Sequence, residues 1–113
     1  MKFVCVYLGA SLGNNKLYKE AVINLGIEIA DLGYTLVYGG SSLGLMGILA
    51  NTVKENGGKA IGVITKHLIN KEKPLSILDE LIVVDSMQDR KKIMQEKSDV
   101  FIVMPGGLGT LEE

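Results

Sequence analysis

The segment Pro105-Gly106-Gly107-Leu108-Gly109-Thr110-Leu111-Glu112-Glu113 joins a glycine-rich turn to two carboxylates. Clustered glycines leave backbone N–H groups free to approach an anion, and phosphate suits such donors best. A carboxylate beside a phosphate cradle suits chemistry on a phosphorylated metabolite. Two more glycine-rich turns, Gly9-Ala10-Ser11 and Gly39-Gly40-Ser41-Ser42, also follow apolar runs. One such turn says little, because glycine is the usual residue wherever φ is positive. Three at one edge of a parallel sheet point to a shared anion or nucleotide pocket. None is a P-loop, since no Gly-Lys-Ser/Thr follows, and Gly9 lacks the rest of the dinucleotide fingerprint.

Arg90 is the only arginine among the basic residues. Its planar, permanently charged fork is a different tool from a lysine ammonium. Taken alone it reads as a surface residue beside Lys91 and Lys92. Its place at the start of a helix, on the same edge as the glycine turns, argues for the pocket. Glu112 and Glu113 have a plainer reading as first-turn carboxylates favoured by the helix dipole. Asp85 reads as a cap or a pocket residue. Met46, Met87, Met94 and Met104 read as core filler, Met87 being the exception because it lies near that edge.

Five apolar, β-rich segments position these turns: 3–8, 35–38, 60–64, 81–84 and 100–104. Their continuous apolar character is that of parallel strands covered on both faces. Between the first two, Leu17, Ala21, Leu25 and Ile29 recur at helical spacing, with Lys19, Glu20, Asn24 and Glu28 on other faces; Gly33 supplies the stop. A second helix is predicted from about 45 to 55. Residues 70–76 read as a surface loop, with a short helical turn at 77–80. A helix over 87–97 has Ser86 at its N-cap and Asp89 three residues on, a pairing like the capping box. This alternation predicts an α/β fold, a doubly wound, Rossmann-like parallel sheet in three layers. It forms one nucleotide-binding domain over 1–113, expected to be incomplete at its C-terminus because the last strand has no helix after it.

The composition is globular, with 47% hydrophobic and 22% charged residues. A net charge of -1 with scattered lysines excludes the basic stripe of a nucleic-acid binder. No apolar stretch approaches the ~20 residues of a membrane span. One cysteine, Cys5, fits a reducing cytoplasm and a core position. With a single histidine, His67, it makes no typical zinc site.

The terminal segment resembles the Pro-Gly-Gly-x-Gly-Thr-x-x-Glu signature of the Lonely Guy family. These are cytokinin riboside 5′-monophosphate phosphoribohydrolases, many of them mislabelled as lysine decarboxylases. Ser86-Met87-Gln88-Asp89-Arg90-Lys91 resembles the family's Arg-Lys motif, with Gln88 where His is common. Tyr38 to Gly47 resembles its middle glycine segment, and Val6 to Ser11 its first turn.

The resemblance implies hydrolysis of the N-glycosidic bond of a nucleoside 5′-monophosphate, AMP or an N6-modified AMP, to free base and ribose 5-phosphate. It implies Glu113 and Arg90 as catalytic residues. Gly9, Ser11, Gly40, Ser41, Met87, Lys91, Gly106, Gly107, Gly109 and Thr110 would join Arg90 in binding substrate. It implies no metal and no cofactor, and a homodimer or larger assembly with the site near the subunit interface. The alternative is a module that carries a nucleotide or molybdenum cofactor without cleaving it. A third reading is a fragment that is inactive by itself because the helix orienting Glu113 is largely missing.

Overall fold

The computed structural model describes residues 2–8 and 16–104. The chain runs β1 (Phe3–Tyr7), α1 (Lys16–Asp31), β2 (Thr35–Tyr38), α2 (Gly44–Glu55), β3 (Lys59–Thr65), α3 (Ile69–Glu72), β4 (Glu80–Val84), α4 (Met87–Lys97) and β5 (Val100–Val103). All strands pair in parallel, in the order β4-β3-β2-β1-β5. The path moves outward from β1 to β4, and α4 then returns it to the far side of β1. The order therefore reverses between β1 and β5, and α/β sheets bind ligands beyond the carboxyl ends at such a reversal.

Side chains alternate between two cores. Val4, Val6, Leu8, Leu36, Tyr38 and Ala60 pack with Val22 and Ile29 of α1 and with Leu45, Leu49, Ala50 and Val53 of α2. On the other face Cys5, Val37, Val63 and Val84 pack with Met94 of α4. Helices thus cover both faces, as the apolar strands require. The outer strands are the exception: Val83 on β4 and Phe101 and Val103 on β5 are each more than 40% exposed.

The expected α1 is present, and of its expected inward row Ile29 is buried and Leu25 packs against the core, while Leu17 and Ala21 are exposed and the row is offset by a residue there. Val22, Gly26 and Ile29 are buried, whereas Leu17 is 65% exposed. The cause is Gly26. A Cβ there would stand 2.9 Å from the Thr52 side chain, so its absence lets α1 settle closely on α2. Gly33 ends α1 at φ 76°, and its N–H donates to the Ala30 carbonyl.

Residues 70–76 depart from the expected surface loop. The helical turn falls at Ile69–Glu72, ahead of the expected 77–80, and Glu80 already belongs to β4. Ser41 and Pro74 form an isolated antiparallel bridge. Tertiary hydrogen bonds to the end of α3 override the local signals of Pro74 and its neighbouring lysines. At the base of β4, the Asp79 carboxylate accepts from the Ala60 N–H at 2.8 Å and from Lys54 Nζ at 2.8 Å. Asp79 thereby ties α2 and β3 to the approach of β4. Among the described residues, no helix is long and apolar enough to cross a membrane.

Candidate functional site

The expected cap of α4 is in place: Ser86 Oγ accepts from the Asp89 N–H at 3.1 Å. This fixes the first turn of α4 and aims Arg90 across the carboxyl ends of the central strands. β2 and β3 pair up to Tyr38 and Gly62. The next rung would join Gly39 to Val63, and there the Arg90 guanidinium takes over. Its Nε–H donates to the Val63 carbonyl at 2.8 Å, and Nη2 donates to the Gly39 carbonyl at 2.7 Å. Where the chain leaves the sheet at Gly39, the rigid fork supplies donors in place of a strand. A lysine ammonium lacks that planar spacing.

Gly39 has to lack a side chain for this to occur, since a Cβ would collide with Arg90 Nη2. The next residue, Gly40, has φ 82°. It lies so close to β3 that a Cβ on Gly62 would stand 2.7 Å from Gly40 Cα. Tyr38 secures the turn from below, its hydroxyl donating to the Ser41 carbonyl at 3.1 Å. Burial pushes the Tyr38 phenol well above its ordinary range, so it stays a neutral donor.

The outer wall of the turn is the end of α3. The Glu72 carbonyl accepts from Ser41 Oγ at 3.2 Å, Ser42 Oγ at 3.3 Å and the Ser42 N–H at 3.2 Å. Ser41 Oγ also accepts from the Leu43 N–H at 3.0 Å. The Glu72 carboxylate turns toward the arginine, with Oε2 3.7 Å from Nη2. Both side chains are largely buried, at 12% exposure for Arg90 and 19% for Glu72. Oε2 accepts no hydrogen bond among the described residues. The remaining terminal group, Nη1, meets Met87 Sδ at 3.7 Å, a weak acceptor.

Arg90, Met87, Gly40 and Ser41 therefore gather at one edge, while Lys91 lies exposed on α4. Gly9, Ser11, Gly106, Gly107, Gly109, Thr110 and Glu113 lie outside the described residues. Asp85 forms an exposed ion pair with Lys66 at 2.9 Å. Met46 and Met94 are buried, as core filler should be, and Met87 is 52% exposed. Sequence reasoning missed Glu72. The available signal was an acidic residue beyond the carboxyl end of β3, at the same edge as the only arginine. Among the described residues, no cluster of three or more His, Cys, Asp or Glu could hold a metal.

Known proteins are similar to this chain in sequence and in fold. A family model described as "Possible lysine decarboxylase" matches residues 46–113. A cytokinin riboside 5′-monophosphate phosphoribohydrolase of Arabidopsis thaliana is 46% identical over 99% of this chain and 53% of its own. A probable enzyme of the same description from Oryza sativa subsp. japonica is 46% identical over 97% of this chain and 48% of its own. The chain thus spans about half the length of these relatives. Among solved structures, the molybdenum cofactor carrier protein of Chlamydomonas reinhardtii superposes with a TM-score of 0.81 at 28% identity, covering 99% of this chain and 67% of that one. The molybdenum cofactor binding protein of Rippkaea orientalis also gives 0.81, at 27% identity, over 98% and 66%. With the family model matching more than half of its residues, and relatives named as these phosphoribohydrolases 46% identical over nearly its whole length, this chain belongs to the Lonely Guy family.

Proposed function

We propose that the full-length protein hydrolyses the N-glycosidic bond of a nucleoside 5′-monophosphate, AMP or an N6-modified AMP. Water adds to C1′, the bond to the base breaks, and the base leaves with a proton, giving ribose 5-phosphate. The observation that carries this reading is the Arg90 fork, held on two main-chain oxygens at the carboxyl edge of the sheet. The relatives named as phosphoribohydrolases support it. The transition state resembles an oxocarbenium ion, as in glycoside hydrolysis. In this reading Glu113 stabilises that charge and activates the water. Arg90 binds the nucleotide and positions Glu113 or assists the departing base.

The N–H groups of Gly106, Gly107 and Gly109, with the Thr110 hydroxyl, hold the 5′-phosphate, so that remote binding energy acts at the sugar. Gly9, Ser11, Gly40 and Ser41 line the nucleotide site, Met87 touches the base, and Lys91, exposed on α4 next to Arg90, reaches the nucleotide from solvent. Residues 1–113 form the nucleotide-binding domain of a cytoplasmic homodimer or larger assembly, acting in cytokinin activation or nucleotide salvage. The test is ribose 5-phosphate release from AMP and prenylated AMP by the full-length protein and its Glu113→Gln variant. Turnover that is lost in the variant while AMP binding persists supports the hydrolase. Binding without any product from the parent protein refutes it and favours a carrier, the reading suggested by the two molybdenum cofactor proteins of the same fold.

A further inference from the structure

We infer that Glu72 is a positioning residue for Arg90, acting through it on the proposed hydrolysis, and this inference rests on that reading. A largely buried guanidinium needs compensation for the water it has lost. Two carbonyl dipoles supply part of it. Among the described residues, Glu72 is the carboxylate that pairs with the fork. At 3.7 Å the pair is too long for a hydrogen bond. Glu72 therefore takes none of the Arg90 donors and acts through charge. Its attraction draws Nη2 inward and keeps Nε and Nη2 on Val63 and Gly39. Nη1, which meets only the Met87 sulfur in this cluster, remains the group that can serve a ligand.

The main chain of Glu72 serves the same end. Its carbonyl collects three donors from Ser41 and Ser42, immediately after the Gly39 oxygen on which Arg90 rests. A single residue thus fixes both the guanidinium and the turn that anchors it. Glu72→Gln separates the two roles, because it removes the charge and leaves the carbonyl and the side-chain shape.

The experiment uses the full-length protein with Glu72→Gln, Arg90→Lys and the double variant, measuring AMP and prenylated-AMP hydrolysis. Hydrogen exchange of the Arg90 Nε–H is followed by NMR, the signal being assigned by its loss in Arg90→Lys. Glu72→Gln is expected to lower kcat by about 10- to 100-fold, the scale of a misplacement near 1 Å. The same change in the Arg90→Lys background should cost little, since groups that act as one unit are not additive. The thermal midpoint should fall in Glu72→Gln, since the buried guanidinium loses its carboxylate, and Arg90 Nε–H exchange should quicken by more than the exchange of core amides, which reports the global loss. Equal losses of kcat in both backgrounds would overturn the inference, and so would unchanged exchange. If the parent protein hydrolyses neither nucleotide, the hydrolase reading fails, and the exchange measurement alone decides whether Glu72 holds Arg90.

Discussion

Replacing Gly39 by alanine places a methyl group where Arg90 Nη2 now sits. The backbone itself does not resist, because Gly39 is not among the glycines with positive φ. Reduced freedom of the unfolded chain would even contribute about 0.4–1 kcal/mol in favour of folding. Against this, Nη2 must abandon its 2.7 Å bond to the Gly39 carbonyl. A hydrogen bond to a charged group is worth about 1.5–3 kcal/mol. The net cost is about 1–2 kcal/mol of stability by the same scale, together with a fork displaced from its rung. For a proposed catalytic group, that displacement costs about 100-fold in turnover.

Gly33→Ala is the matched comparison. Gly33 has φ 76°, and a Cβ there would find no neighbour within 4 Å. Alanine at this position meets backbone strain of about 1–2 kcal/mol and nothing else. The assay pairs thermal unfolding with ribose 5-phosphate release in the full-length protein. Both variants should lose similar stability, and only Gly39→Ala should lose activity. Near-normal turnover by Gly39→Ala would refute the claim that Arg90 is held by the main chain at this rung.

The Asp79 carboxyl lies below its usual range: burial raises it, but the hydrogen bonds from Lys54 and the Ala60 N–H outweigh that. Its stabilising contribution is therefore present above the unfolded value near 3.9 and is lost as pH falls below it. Acid unfolding of Asp79→Asn should show a weaker pH dependence than the parent; identical slopes would count against the assignment. Tyr38 carries the opposite sign. Its raised phenol contributes stability below the unfolded value near 10 that is lost as pH climbs above it. In an alkaline absorbance titration, one tyrosine should ionise only as the fold is lost, and Tyr38→Phe should remove that step. Gly47→Ala would normally favour a helix by about 1 kcal/mol. Here the new Cβ meets the Ser42 carbonyl, and overpacking of about 1–3 kcal/mol should make the variant less stable. A raised denaturant midpoint would contradict that packing.

The strands and the α4 boundaries were legible because their signals are local. An unbroken run such as Val100 to Val103, or a serine three residues ahead of Asp89, needs no knowledge of the rest of the chain. The offset face of α1 was not legible, because it depends on which residue of α2 lies opposite Gly26. Much the same holds for α3, whose position follows from serines about 30 residues earlier in the chain. The sequence marked Arg90 as unusual but held no sign of what it grips. Its partners are carbonyl oxygens 27 and 51 residues away, and every residue type carries a carbonyl. The catalytic carboxylate expected at Glu113 lies outside the described residues, so its relation to Arg90 rests on motif order.

Anchoring Arg90 on main-chain oxygens also bears on how such a protein can evolve. Val63 could become another β-branched residue, and its carbonyl would still receive Nε–H. Of the two anchors, only Gly39 constrains a side chain, by requiring none. Met87, half-exposed beside Nη1, is not one of these anchors. A substitution at Met87 would therefore change what surrounds the cation and leave its two main-chain anchors in place.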